Sequence, residues 1–446
     1  MHRLEPDTAR RERHAQLQRR KLLCHARAEN YQLRSQREQR IGMGDRQVRK
    51  QRRAPMREQL IGRHEAAPLD THLPDADLGV RVTADQIDAG ASFEGELHDR
   101  VTIPPVRELV IVLTDLYLPA AQVEVPSGAQ ALLPGIEHAG RYGERVALTE
   151  GWRAWLARRL GRDDLAAFAP ARIAATVLPA TSEAQWLATP VHLSAGLSRV
   201  HLDHRGLLRL SAAEQASLTR AFAAAFVGSG FTLAGLPCGE FVLQAPGIPP
   251  VLTTEPARCA GGEIAAALPH GAQAAALRRV AAEIEMWLHG EETNAVRTRL
   301  GRLSVNALWL WGGAAASAAP APRALVPAPL GFGSDAYLDG LWHLHGGSCR
   351  PLPQDLAGVL GPAVPACTVL ALSVAAELQR SMHASFAQAL GALDERFIAP
   401  ALAALGDGAL ARVTLVGNDT ALTVRRRSAL RIWRRGRPGL ASLRWA

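Results

Sequence analysis

Two groups of residues in this 446-residue chain have types and spacings suited to chemistry. The first is a carboxylate, Asp115, which stands just beyond the unbroken apolar run 109–113. A short continuous apolar run bounded by turn residues reads as a buried strand of a parallel sheet. Open α/β sheets bind ligands beyond the C-terminal ends of their strands, so Asp115 is the candidate catalytic residue. The second group is Asn306, Trp309, Trp311 and Gly312. Trp309 and Trp311 are two apart and share one face of a strand, while Leu308 and Leu310 share the other. A strand apolar on both faces is predicted to be central and covered by helices. Gly312 and Gly313 let the chain bend at its end, where the tryptophans and Asn306 are candidates to line a ligand pocket.

Other reactive types are weaker candidates. The pairs His201/His204 and His343/His345 offer two ligands each, and a metal site needs three or four. They are read as solvent or core histidines, and no metal ligand is assigned. Arg425–Arg427, with Arg434, Arg435 and Arg437, flank Trp433. A basic hairpin with an aromatic suits phosphate or single-stranded nucleic acid, and equally a charged sheet edge that discourages aggregation. The phosphate loop, the Rossmann glycine fingerprint, the His-Glu-x-x-His zinc motif and the Gly-x-Ser-x-Gly elbow are all missing.

The elements that must position these residues alternate between strand and helix patterns. Strands are expected at 109–113, 190–193, 199–203, 231–233, 240–243, 305–311 and 368–372, with a hairpin of 412–416 and 420–426 about Gly417-Asn418-Asp419. Helices are expected at 152–160, 164–175, 212–227, 275–289, 335–344 and 376–405, the last interrupted near Pro400. Ser211 and Glu214 form a capping box ahead of 212–227. Ala314–Pro329 reads as an irregular Ala/Pro-rich loop. This alternation argues for an α/β fold with a mixed, mostly parallel sheet flanked by helices.

Charge is unevenly placed. Residues 1–65 hold 18 basic and 8 acidic side chains, a net of +10. Residues 425–446 hold eight arginines and no acid, and residues 66–424 carry a net of −9. The whole-chain +9 is therefore the sum of two basic ends on an acidic body. The ends suit nucleic acid and the body does not. Residues 1–65 are expected to be a disordered or helical basic extension, 66–105 a linker, 106–437 the α/β domain and 438–446 a tail. The change of character at Val106 marks the expected start of the domain, with 1–105 an addition to it. No apolar run reaches the roughly 18 residues that span a bilayer. Five scattered cysteines fit reduced thiols of a cytoplasmic protein.

Four segments carry a family resemblance: RELVIVLTDLYLP (107–119), ATPVHLSAGLSRVHL (188–202), EIEMWLHGEETNAVRTRLGRLSVNALWLWGG (283–313) and IWRR (432–435). Together they resemble the RpfE-type regulatory family of proteobacteria over about 106–437. NALWLWGG (306–313) is also similar to the Asn-x-x-Trp-x-Trp-Gly segment of archaeal-type cofactor-independent phosphoglycerate mutases, which are alkaline-phosphatase-like metalloenzymes. That similarity implies an alkaline-phosphatase-like core and matches Asp115 to the first metal-binding Asp of the fold. Leu116 stands where Gly normally follows, and the Gly-Asp-His metal motif is missing from the C-terminal half.

The expectation is a regulatory protein with a phosphoglycerate-mutase-like fold and no complete catalytic site, binding a small phosphorylated metabolite without a cofactor or a membrane partner. One alternative is a divergent phosphomutase or phosphatase that uses a divalent metal at Asp115. Another is a nucleic-acid-associated protein acting through its basic ends.

Overall fold

The computed structural model describes residues 107–430 apart from 119–132, 250, 272, 316–317, 325–328, 361–365 and 382, together with Leu443. All of these fall within the unit His98–Ala446. The basic extension 1–65, the linker 66–105 and the arginines Arg434, Arg435 and Arg437 lie outside the described residues.

Twelve strands are described: β1 (Glu108–Leu113), β2 (Glu144–Ala147), β3 (Gln185–Ala195), β4 (Val200–Leu207), β5 (Thr232–Gly235), β6 (Phe241–Gln244), β7 (Gly262–Glu263), β8 (Ala307–Ala314), β9 (Leu330–Phe332), β10 (Cys367–Leu372), β11 (Arg412–Gly417) and β12 (Thr420–Arg425). The α-helices are α1 (Pro134–Tyr142), α2 (Gly151–Arg159), α3 (Pro170–Ala174), α4 (Ala212–Ala225), α5 (Ala274–His289), α6 (Glu292–Arg299), α7 (Ala336–Leu344), α8 (Val374–Arg380), α9 (Phe386–Leu393) and α10 (Ala399–Gly406).

The first sheet runs β2-β12-β11-β1-β10-β9. β1 lies between β10 and β11, parallel to both, and β9 is parallel to β10. The β11–β12 and β12–β2 pairings are antiparallel, so β12 alone runs against the other five strands. All six residues of β1 are buried, as the apolar run requires of a strand covered on both faces. Leu109, Ile111 and Leu113 point into a core with α1, α9 and α10, while Val110 and Val112 point into a core with α2, α3 and α7. The β11–β12 hairpin turns on Asn418 and Asp419, both at positive φ (51° and 52°). That is the two-residue turn whose twist matches its strands, and Asn and Asp tolerate it. The fold is thus the expected mixed α/β arrangement around a mostly parallel sheet.

A second sheet, β5-β6-β3-β4-β7 with β8 on the other edge of β3, is antiparallel in its pairings. β8 is apolar on both faces as expected. Trp309 and Trp311 enter the same core as Val110, and Leu308 and Leu310 pack with α4 and α5. Its position differs from the expected central one, for β3 is its one strand partner among the described residues. Helix packing buries it there instead. β3 also extends well past the expected 190–193. Pro190, which has no N–H to give, sits where the β3 edge changes partner from β6 to β4.

Two helices differ from expectation. The segment 164–175 divides into a 3-10 turn, Asp163–Ala167, and α3, because Ala169 is extended ahead of Pro170. The segment 376–405 does not break at Pro400: α8 ends at Arg380 and α9 starts at Phe386. Ser385 and Gln388 form a capping box that starts α9 anew. Pro400 is accommodated in the first turn of α10, after a π turn at Asp394–Ile398.

Candidate functional site

Charged side chains converge at the C-terminal end of β1, facing β3, β6 and β8 of the second sheet. A small cavity there, about 30 Å³, is lined by Asp115, Arg153, Thr189, Arg209, Glu240 and Glu255, with Trp311 and Asp335 also at its wall. The four carboxylates are each 8% exposed or less. Carboxylates so deeply buried must be paired, and every one of them is.

Asp115 and Asp335 each cap a helix. The Asp115 carboxylate accepts from the amides of Val374 (2.8 Å) and Ala375 (2.9 Å) and from the Ser373 hydroxyl (2.6 Å) at the start of α8. Asp335 accepts from the amides of Tyr337 and Leu338 at the start of α7. In both cases a carboxylate satisfies orphan N–H groups and meets the positive end of the helix.

Glu255 and Glu240 pair with arginines. Arg153, from α2, forks onto Glu255 at 2.7 and 2.8 Å, the planar geometry that suits guanidinium and carboxylate. Burial pulls the Arg153 guanidinium down, but Glu255, then Asp335 and Tyr117, hold it above the usual arginine value. The same guanidinium lies over the Trp152 ring at 4.4 Å and the Trp311 ring at 4.8 Å. Arg209 donates to Glu240 at 2.7 Å, and Glu240 accepts also from Thr189, which in turn accepts from Trp311 Nε1 at 2.9 Å. Burial pushes the Glu240 carboxyl up in spite of Arg209.

A larger cleft of about 310 Å³ adjoins this cavity and shares Arg153, Glu255 and Trp311 with it. Tyr117, Arg258 and Gly312 line its outer part. Tyr117 donates to Glu255 at 3.0 Å, and burial, followed by the Glu255 charge, pushes its hydroxyl up. Arg258 covers the Tyr117 ring at 4.2 Å and forks onto Asp419 at 2.7 and 2.9 Å.

The residues singled out in the sequence divide among these places. Asp115 lines the inner cavity, Trp311 lines both spaces and Gly312 lines the cleft. Trp309 and Gly312 hold the segment that carries Glu255: Trp309 Nε1 donates to the Thr254 carbonyl (2.8 Å) and the Gly312 amide to the Thr253 hydroxyl (3.0 Å). Asn306 lines neither space. Its amide pairs with the N–H and carbonyl of Leu193, both at 2.7 Å, and ties β8 to β3.

Arg153, Arg209, Glu240, Glu255 and Asp335 carry no motif. Their one sequence signal is a charge set beside apolar runs, as in Trp152-Arg153-Ala154-Trp155-Leu156 and Glu240-Phe241-Val242-Leu243.

The residues present do not fit a divalent metal. Both oxygens of Asp115 face a helix terminus, and two guanidinium groups share its cavity. Among the described residues no three His, Cys, Asp or Glu side chains stand together as a metal site. His343 is exposed, His345 is buried against the Arg323 carbonyl, and His204 packs at a tilt against the Phe386 ring, 4.2 Å between centroids. The four described cysteines are unpaired, and no helix among the described residues is long and apolar enough to cross a membrane.

No family model matches the chain, and no curated protein matches it. Several solved structures are similar to it. One is a cofactor-independent phosphoglycerate mutase from Thermoplasma acidophilum DSM 1728, at 15% identity over 72% of this chain and 90% of that one, with a TM-score of 0.32. Another is the PH0037 protein from Pyrococcus horikoshii, at 13% identity over 72% of this chain and 88% of that one, with a TM-score of 0.39. Both are distant likenesses of fold.

Proposed function

We propose that this chain is a regulatory protein of the RpfE type that binds a small phosphorylated metabolite in the cleft beside Arg153 and does not turn it over. The observation that carries this reading is the engagement of Asp115. Its carboxylate accepts three hydrogen bonds from residues 373–375, so the group that the mutase resemblance casts as a metal ligand serves to cap α8. Two-metal phosphoryl transfer needs carboxylates free to hold the ions. The adjoining cleft keeps two arginines, Arg153 and Arg258, at its wall, and arginine forks match phosphate oxygens.

The test is calorimetry of the full chain with a panel of phosphorylated three-carbon acids and sugars, paired with a phosphatase assay in manganese, magnesium or zinc. Binding without turnover is expected. Metal-dependent release of phosphate, or no binding across the panel, would overturn the reading.

A further inference from the structure

Glu255 is held by an arginine fork and a tyrosine hydroxyl. Arg153 takes both of its oxygens, the Tyr117 hydroxyl shares Oε2 at 3.0 Å, and Arg258 Nε stands 4.0 Å from that same oxygen. The Arg153 fork and the Tyr117 hydroxyl thus hold this anion, with the Arg258 guanidinium, three residues along the chain, close by. The arrangement sits on the boundary between the inner cavity and the outer cleft, since Glu255 and Arg153 line both. Its anion comes from a segment that β8 pins at Thr253 and Thr254, so the backbone is anchored while the Glu255 side chain supplies the charge.

The Glu255 carboxylate meets this set with two oxygens, one of which serves both Arg153 and Tyr117. A phosphate monoester offers three oxygens and a larger charge. It can take the Arg153 fork with two oxygens and leave the third for Tyr117 and Arg258. We infer that Glu255 is a built-in anion occupying the phosphate receptor formed by Arg153, Tyr117 and Arg258, which an incoming phosphate group must displace. This rests on the reading that the cleft takes a phosphorylated ligand, and adds how its affinity is held down.

The test is calorimetry of the full-length protein with inorganic phosphate, with the emission of Trp152 and Trp311 followed in parallel because Arg153 lies over both rings. Glu255→Gln removes the competing charge and keeps the side-chain shape. It is expected to bind phosphate at least about tenfold more tightly than wild type, a shift well resolved by titration. Adding Arg153→Met to that variant is expected to abolish the gain. Should Glu255→Gln fail to fold, Glu255→Asp, which draws the carboxylate back by one methylene, is expected to tighten phosphate by a smaller factor. If wild type binds phosphate and the folded Glu255 variant binds it no better, the built-in anion is overturned and the ligand reading stands. If neither binds, both fall.

Discussion

The Ser373 hydroxyl donates to the Asp115 carboxylate at 2.6 Å, joining two residues 258 positions apart across the ends of adjacent parallel strands. Ser373 at the same time accepts from the Ala376 amide as the N-cap of α8. The pair therefore forms one unit that starts a helix. Arg205 finishes that helix by donating to the carbonyls of Leu378, Ser381 and Ala384. Gln379 then ties it to the end of β4, through the Leu207 carbonyl and the Arg209 amide. α8 is thus the bridge between the two sheets beside the cavity.

Removal of the cap should be felt in stability. Asp115→Ala leaves the amides of Val374 and Ala375 without their acceptor in a buried place. A loss of about 1–3 kcal/mol is expected from capping and buried hydrogen-bond energetics. Asp115→Asn, which keeps one acceptor oxygen, should lose less. Urea unfolding of the three proteins checks the order. An Asp115→Ala variant as stable as wild type would remove the capping role.

The C-terminal end of β8 depends on a missing side chain. A Cβ on Gly313 would lie 2.1 Å from the Trp186 ring, and Trp186 is fully buried. Gly313→Ala is expected to cost about 1–3 kcal/mol or more by overpacking. Gly406→Ala, in α10 with nothing within 4 Å of its Cβ, should instead be neutral or gain up to about 1 kcal/mol from helix propensity. Paired thermal melts separate the two. Equal effects would mean that the Trp186 contact does not constrain this end of β8.

Stability should fall with rising pH through one carboxyl. Burial first, and the Asp335 charge second, push Asp339 up to about 7 from an ordinary 3.8. Between these values the folded protein holds a proton that the unfolded chain has released. The contribution of Asp339 is therefore complete below about pH 4 and is lost as pH rises through about 7. Asp339→Asn mimics the protonated form. Its stability relative to wild type should climb across this window and level off above it. Urea unfolding at a series of pH values reads the difference directly, and a constant difference would refute the assignment.

Much of the fold was legible before the structure. The apolar run at 109–113 is the centre of a parallel sheet because only such a strand must be buried on both faces. The capping box at Ser211 and Glu214, the long amphipathic helix with Leu277, Val280, Ile284 and Leu288 buried, and the turn at Asn418 and Asp419 are local matters. Their physics lies within a few residues, so a short window of sequence holds it. The antiparallel second sheet was hidden. β3 must choose among β4, β6 and β8, and those pairings join residues from 185 to 314.

The site divides along the same line. The sequence by itself located Asp115 at a strand end and Trp311 on an apolar strand, because strand periodicity is a property of neighbouring residues. Where a bend was expected, Gly312 is a positive-φ position inside β8. Whether Asp115 holds an ion or caps a helix depended on Ser373, and whether Arg153 is free or paired depended on Glu255. Such choices are electrostatic. A buried charge is defined by the opposite charge or dipole that reaches it, and here that partner arrives from 258 or 102 residues away. Only the tertiary structure sets those distances, and with them the chemistry open to each group.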